Sequence, residues 1–385
     1  MSEDLISVLD RLADDSEPVR QIDLAGLSDI PRGQVATFHA AWNGLSPERR
    51  LEVAQALVEG AEANIHLNFY LVLRELLADG DAQVRKLAIE GLWEDNRTNL
   101  VAPLANLVAG DPSVDVRAAA AISLGRFVML GSLGEINEAA AEQAEAALRS
   151  AWNRRSEVTE VRRRALEGLA YSEGADVRQM IQVAYYDEDD LLRQSAVYAM
   201  GRSADRRWAK NVLAELDSSE VAMRFEATVA AGELGLASAV DPLIRRLDDP
   251  DGSVRSAAAT ALGEIGGPAA RRALRAAART DDEGLAEAAQ AALDELNFSS
   301  GAVDQPMFEF QEQAALVPGE GDLDEDEDEG EPLGLGAGLF GDEFDEDEED
   351  EEEGDLFDYD EDDLDWLDED EEADDGDDDL GEEEW

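Results

Sequence analysis

Between Asp248 and Gly267 the chain reads "DDPDGSVRSAAATALGEIGG", with apolar residues at Val254, Ala258 and Leu262. Positions i, i+4 and i+8 share one face of a helix, so the spacing predicts an amphipathic helix opening near Asp251. The same sentence recurs along the chain. Aligned on Arg255, its arginine returns at Arg85, Arg117, Arg162, Arg193 and Arg224, with Ala286 in the next slot, and the last four steps are each 31 residues. Three residues after each anchor stands an alanine: Ala88, Ala120, Ala165, Ala196, Ala227, Ala258 and Ala289. One residue before comes Val84, Val116, Val161, Leu192, Met223, Val254 or Leu285, and seven after comes Leu92, Leu124, Leu169, Met200, Ala231, Leu262 or Leu293.

A fixed period of this length marks a repeat array in which each unit buries its apolar stripe against its neighbours. Alanine in the middle of the stripe has a physical reason, because a small side chain lets crossing helices approach while the larger flanking residues interlock. Four residues before the anchor, Asp81, Asp189, Glu220, Asp251 and Asp282 are placed to cap or favour the positive helix N-terminus. Gly125, Gly201 and Gly263, eight after it, suit the helix end. Between these helices run further amphipathic segments such as "RRWAKNVLAELDSS" from Arg206 and "SAVDPLIRRLDDP" from Ser238, so each unit is a helical hairpin. Degenerate forms around Arg20 and Arg50 extend the array upstream, and the expected fold is an all-α solenoid of about nine hairpins over residues 1–300.

The pattern D-x-x-V-R-x-x-A-x-x-A-L-G, clearest from Asp251 to Gly263 and looser from Asp81 to Leu92, resembles the HEAT repeats of the short, phycobilisome-lyase-like type. The resemblance spans residues 15–297. It implies stacked antiparallel helix pairs tied along one edge by an internal ladder of Asp and Arg. Carried onto this sequence, the ladder is Asp81, Arg85, Arg117, Arg162, Asp189, Arg193, Glu220, Arg224, Asp251 and Arg255. For function it implies a scaffold, since such solenoids serve mostly as binding surfaces and the lyase-like label describes a repeat.

Two departures change the picture. The step from Arg117 to Arg162 is 45 residues, and the excess is expected as a glycine-punctuated loop at Val128 to Asn137, before the alanine-rich segment "EAAAEQAEAALRSAW". Beyond the array, residues 301–319 keep Met307, Phe308 and Phe310 and are expected as a linker or a cap over the open end, together with Phe298. Residues 320–385 are expected as a disordered acidic tail, because so acidic a stretch buries too little apolar surface to offset chain entropy.

Charge sharpens the division. All 31 Lys and Arg lie at or before Arg279, while residues 301–385 hold 43 of the 93 acids, leaving −19 on the first 300 residues and −43 on the rest. Both regions repel nucleic acid, so no direct nucleic-acid binding is expected. Cysteine is absent, which excludes disulfides, thiolate metal sites and cysteine nucleophiles. The opening "MSEDLISVLDRLADDSEP" lacks a basic, apolar leader and no segment is apolar enough to span a membrane, so a cytoplasmic protein is expected.

Catalytic chemistry finds no anchor. The only histidines, His39 and His66, are followed by Ala40 and Leu67, whereas an iron-binding HEAT enzyme needs several His-Glu pairs. The acidic run from Asp324 has Glu329 where an EF-hand loop needs glycine and Leu335 where it needs glutamate. Neither a metal nor a cofactor is expected. The extra bases in "WNRRSEVTEVRRRAL", "DRRWAK", "IRRLDD" and "ARRALRAAAR" read as solvated faces or as docking ground for an acidic segment. In the tail, Phe357, Tyr359, Trp366, Leu367 and Trp385 interrupt the acids, and acidic stretches with interleaved aromatics suit a partner that is both basic and apolar. The expected function is a non-enzymatic scaffold or adaptor. The alternatives are a chaperone or nucleic-acid mimic acting through the tail on a basic protein, and a lyase-like accessory protein.

Overall fold

The computed structural model describes residues 5–299. Among the described residues there is no strand, and most of the helices pair in chain order. The opening helices are α1 (Leu5–Leu12) with α2 (Gln21–Ala25), then α3 (Val35–Trp42), which packs on α5 (Tyr70–Leu76) rather than on α4 (Pro47–Ala63), and α5 with α6 (Ala82–Gly91). The middle pairs are α7 (Val101–Gly110) with α8 (Val114–Ser132), α9 (Glu138–Asn153) with α10 (Thr159–Leu169), and α11 (Ala175–Tyr185) with α12 (Asp190–Arg202). The array closes with α13 (Ala209–Glu215) and α14 (Val221–Glu233), α15 (Val240–Arg246) and α16 (Gly252–Ile265), and α17 (Gly267–Ala277) and α18 (Glu283–Ser299). This is an α-solenoid.

Side-chain caps start several of the second helices, though not α2, α8 or α10. The Asp251 carboxylate accepts from the Ser253 and Val254 amides at 2.9 and 3.4 Å. Asp81 does the same for Gln83 and Val84, and Asp189 for Leu191 and Leu192. Each thereby satisfies helix N-terminal N–H groups that have no partner within the helix. Glu220 departs from this pattern, for its side chain makes no cap bond at the start of α14.

Along these helices the predicted stripe is buried. All seven alanines of the +3 position, Ala88 to Ala289, are fully buried, and their −1 and +7 neighbours are buried too. The glycines at +8 correct part of the sequence reading. Gly201 and Gly263 lie in the last turns of α12 and α16, near the ends as expected, but Gly125 lies well inside α8, and none is the residue that follows the helix. Their role is close approach. A Cβ on Gly125 would stand 2.6 Å from Gly168 Cα in α10, one on Gly201 2.8 Å from Ala230 Cα in α14, and one on Gly263 2.7 Å from Ala292 Cβ in α18. Small residues facing each other bring successive second helices into direct backbone contact.

The expected loop at 128–137 is also corrected. Helix α8 runs unbroken through Ser132, and only a short turn with Gly134 in a left-handed conformation separates it from α9. The extra residues lengthen two helices, because Val128 and Leu130 are buried on α8, and Ala140, Ala144 and Leu148 on α9. Phe298 near the end of α18 is 79% exposed, while Met307, Phe308 and Phe310 lie outside the described residues. The segments expected as linker or cap (301–319) and acidic tail (320–385) lie outside them as well.

Candidate functional site

Second helices of successive pairs pack directly on one another from α4 to α18, whereas first helices touch less, apart from α7 and α9, which pack closely. The second helices therefore line the inner side of the stack, and two features of this layer have functional weight: a polar ladder along one edge and a groove on the open face.

The ladder joins five of the anchor arginines, Arg50, Arg85, Arg117, Arg224 and Arg255, to the next pair. Arg85 Nη1 donates to the Asp79 and Gly80 carbonyls at its own helix entry, while Nε and Nη2 donate to both oxygens of Asp111 at 2.7 and 2.8 Å. Arg224 repeats the arrangement with the Ser218 and Ser219 carbonyls and with Asp249, at 2.9 and 3.0 Å. Arg50 reaches Asp79, Arg117 reaches Glu157 and Arg255 reaches Asp282. One carboxylate oxygen often serves the turn as well, for Asp79, Asp111 and Asp249 accept the amides of Asp81, Ser113 and Asp251. Burial works against the Asp249 carboxylate, but the Arg224 bonds and the Asp251 amide outweigh it and hold its pKa below the ordinary value.

Two corrections follow. The carboxylates opposite the arginines are not the caps Asp81, Asp189 and Asp251 but, in most rungs, the acids two residues earlier. The signal for them was the doubled acid in "DGD" at Asp79 and "DPD" at Asp249. Moreover, Arg162 and Arg193 leave the ladder. Arg162 lies over the Trp152 ring at 4.7 Å and donates weakly to the Trp152 carbonyl. Arg193 meets only the exposed Asp190 of its own helix, because Ser218 stands where the next rung needs an acid.

The groove runs across α6, α8, α10 and α12. Its first part, about 1100 Å³ open to solvent, lies between Trp93, just past α6, and Ile122 and Arg126 on α8, with Ala118 and Ala119 as a shallow floor. Trp93 is 60% exposed and Ile122 53%. It continues past Gly125 to Tyr171 and Tyr198. The bases along it are mostly engaged: Lys86 pairs with Glu90, and Arg163 and Arg164 pair with Glu160 and Glu167. Arg126 differs. Its Nη2 donates to the Leu92 and Asp95 carbonyls, but Nε and Nη1 are buried without any acceptor, and burial lowers its pKa.

Further along, the face turns acidic. Arg202 pairs with Glu233. Burial nevertheless raises the Glu233 carboxyl to about 7, against the pull of Arg202 and with help from Glu264 and Glu226. Burial also raises Glu226 and Glu264.

Of the other residues singled out from sequence, His39 is exposed beside Glu75, and Arg246 and Arg207 pair with acids. Phe357, Tyr359, Trp366, Leu367 and Trp385 lie outside the described residues. Among the described residues no cluster of three or more His, Asp or Glu is placed to hold a metal, and no helix is long and apolar enough to cross a membrane. Trp93 and Arg126 escaped the sequence reading. The available signal was a tryptophan at +8, where four other units carry glycine.

Residues 71–160 and 209–294 match the family of HEAT repeats. No curated protein sequence matches the chain. Among solved structures, human deoxyhypusine hydroxylase is 18% identical over 76% of this chain and 96% of its own, with a TM-score of 0.31. The CpcE–CpcF complex of phycocyanin lyase from Nostoc is 18% identical over 70% and 96%, at 0.45. Yeast importin-beta is 13% identical over 76% of this chain and 46% of its own, at 0.48. TM-scores below 0.5 give none of these likenesses weight for a partner or an activity.

Proposed function

We propose that this HEAT-repeat α-solenoid is a non-enzymatic protein-interaction scaffold, an adaptor of the cytoplasm. The observation that carries the reading is the inner face from α6 to α12, where exposed Trp93 and Ile122 adjoin an arginine with buried, unsatisfied donors. Isolated surface apolar residues are ordinary, but an apolar groove with a polar group short of partners favours a ligand. Residues 320–385 are the second arm. Their acids attract a basic protein, and Phe357, Tyr359, Trp366, Leu367 and Trp385 give the contact an apolar component that charge alone lacks.

In this reading the partner is a basic protein whose charged surface the tail captures or shields, while the solenoid holds it in place. Attraction of this kind is screened over a Debye length of about 8 Å at physiological ionic strength, so release rises with salt. The test is capture of partners from native lysate by the full chain and by its Phe357→Ala, Tyr359→Ala, Trp366→Ala triple variant, which keeps every charge. Basic proteins retained by the parent, eluted by salt and lost from the variant are expected. Equal capture by both reduces the tail to a diffuse polyanion. If the tail acts alone, as in a chaperone for a basic protein, the triple variant loses its partners and groove substitutions change nothing.

A further inference from the structure

Among the bases lining the groove, Arg126 makes no side-chain salt bridge to a described residue, although the charges of Asp95 and Glu94 act on it. Its guanidinium lies 5.2 Å from the buried Phe127 ring and spends Nη2 on two backbone carbonyls. Its Nε and Nη1 lack any acceptor, although most buried donors find one. Four residues earlier on the same face of α8 stands Ile122, half exposed, and across the alanine floor stands Trp93. An apolar slot and a donor therefore sit one helical turn apart.

We infer that this groove docks a short amphipathic segment of a partner protein, which sets one large apolar side chain between Trp93 and Ile122 and one carboxylate on Arg126. This deepens the scaffold reading and rests on it. The surroundings select the chemistry. Glu90, Asp115 and Glu160 line the rim, and Lys86 and Arg164 are already paired. With three acids against Lys86, Arg126 and Arg164, the lining offers no net positive charge to hold a phosphate or a run of acids. A single carboxylate beside an apolar side chain supplies what Arg126 lacks once the guanidinium turns toward the groove, since Nε and Nη1 are closed to solvent at rest, and a charge-assisted bond to it is stronger than one to a neutral acceptor. Helix-in-groove recognition presents residues at such i, i+4 spacing.

The test is a displayed library of random 12-residue peptides selected on the full chain at physiological salt, followed by affinity measurement of the winners. The expected winners pair Asp or Glu with Trp, Phe or Leu within four residues. Their affinity should fall by about tenfold or more in Arg126→Gln and in Ile122→Glu, as for a buried anchor. Ile122 is exposed, so the second variant keeps the fold if the first does not, and circular dichroism monitors both. Winners that ignore both substitutions, winners that are basic or polyacidic, or no winners at all would overturn the assignment. So would affinity that appears only when Phe357, Tyr359, Trp366 and Leu367 are replaced by Ala, which would make the occupant the chain's own segment. The scaffold reading fails separately, through loss of salt-sensitive capture of basic proteins.

Discussion

The repeats at the two ends of the ladder and those at its centre carry the same anchor arginine and use it differently. From Arg50 to Arg117, and again at Arg224 and Arg255, each guanidinium crosses to an acid of the next pair. At Arg162 and Arg193 it turns to an aromatic ring or an exposed neighbour instead. At Arg193 the partner position explains the difference, for Ser218 stands where Asp249 faces Arg224, whereas Arg162 turns to Trp152 although Asp187 holds the equivalent position and accepts the Asp189 amide. An anchor that repeats in sequence is thus no guarantee of a repeated contact, since each rung needs two residues from different units. The central repeats place other arginines, Arg163, Arg164 and Arg202, along the inner face beside Tyr171 and Tyr198.

The largest expected effect is removal of a closed rung. Arg224 and Asp249 are 9% and 0% exposed, so Asp249→Ala leaves a buried guanidinium unpaired and should cost about 3 to 5 kcal/mol in urea melts. Arg193→Ala, breaking a contact to an exposed Asp190, should cost under about 1 kcal/mol. Equal losses would erase the distinction between the two regions. Because the Asp249 pKa is depressed, its contribution is present above the unfolded carboxylate range and should fade as pH falls below it.

Overpacking comes next. Ala258→Leu and Ala196→Leu should each cost about 1 to 3 kcal/mol, with the closed-ladder site near the top of that range because its neighbours are tied and yield less. Reversal of that order would count against the ladder as a clamp. Glu233 gives an effect of opposite pH sign to Asp249. Its folded pKa of about 7 exceeds the ordinary 4.5, so its ionisation costs stability as pH rises through that window. Glu233→Gln should therefore gain about 1 to 2 kcal/mol on the parent between pH 5 and 8, after allowance for residual solvent. A variant less stable than the parent at pH 8 would show that Arg202 governs the site. The smallest change repairs an open rung: Ser218→Asp offers Arg193 the missing carboxylate and should add about 0.5 to 1 kcal/mol.

Much of this was legible in the chain because the signal was repeated. The stripe of Val254, Ala258 and Leu262 and its counterparts fixed the buried face, and Asp81, Asp189 and Asp251 announced helix starts. What stayed hidden depends on neighbouring units. Glycine at +8 looks like a helix end within one repeat, and only the facing backbone of the next helix shows why Gly125 meets Gly168. The extra length after Arg117 looked like a loop because glycines punctuate it, yet burial of Val128, Leu130 and Leu148 carries it as helix. The groove at Trp93 and Arg126 is likewise a property of adjacent helices, since neither residue belongs to the repeated stripe.

The scaffold reading places the partner on the inner face, and a photo-reactive phenylalanine analogue tests this directly. Introduced at Trp93 or Ile122 in the full chain and irradiated in native lysate, it should give discrete crosslinked species that Arg126→Gln weakens. The same analogue at exposed Val183, on the first helix α11, should give few. Crosslinks as abundant from Val183 as from Trp93 and Ile122, or none from the inner face, would contradict the account.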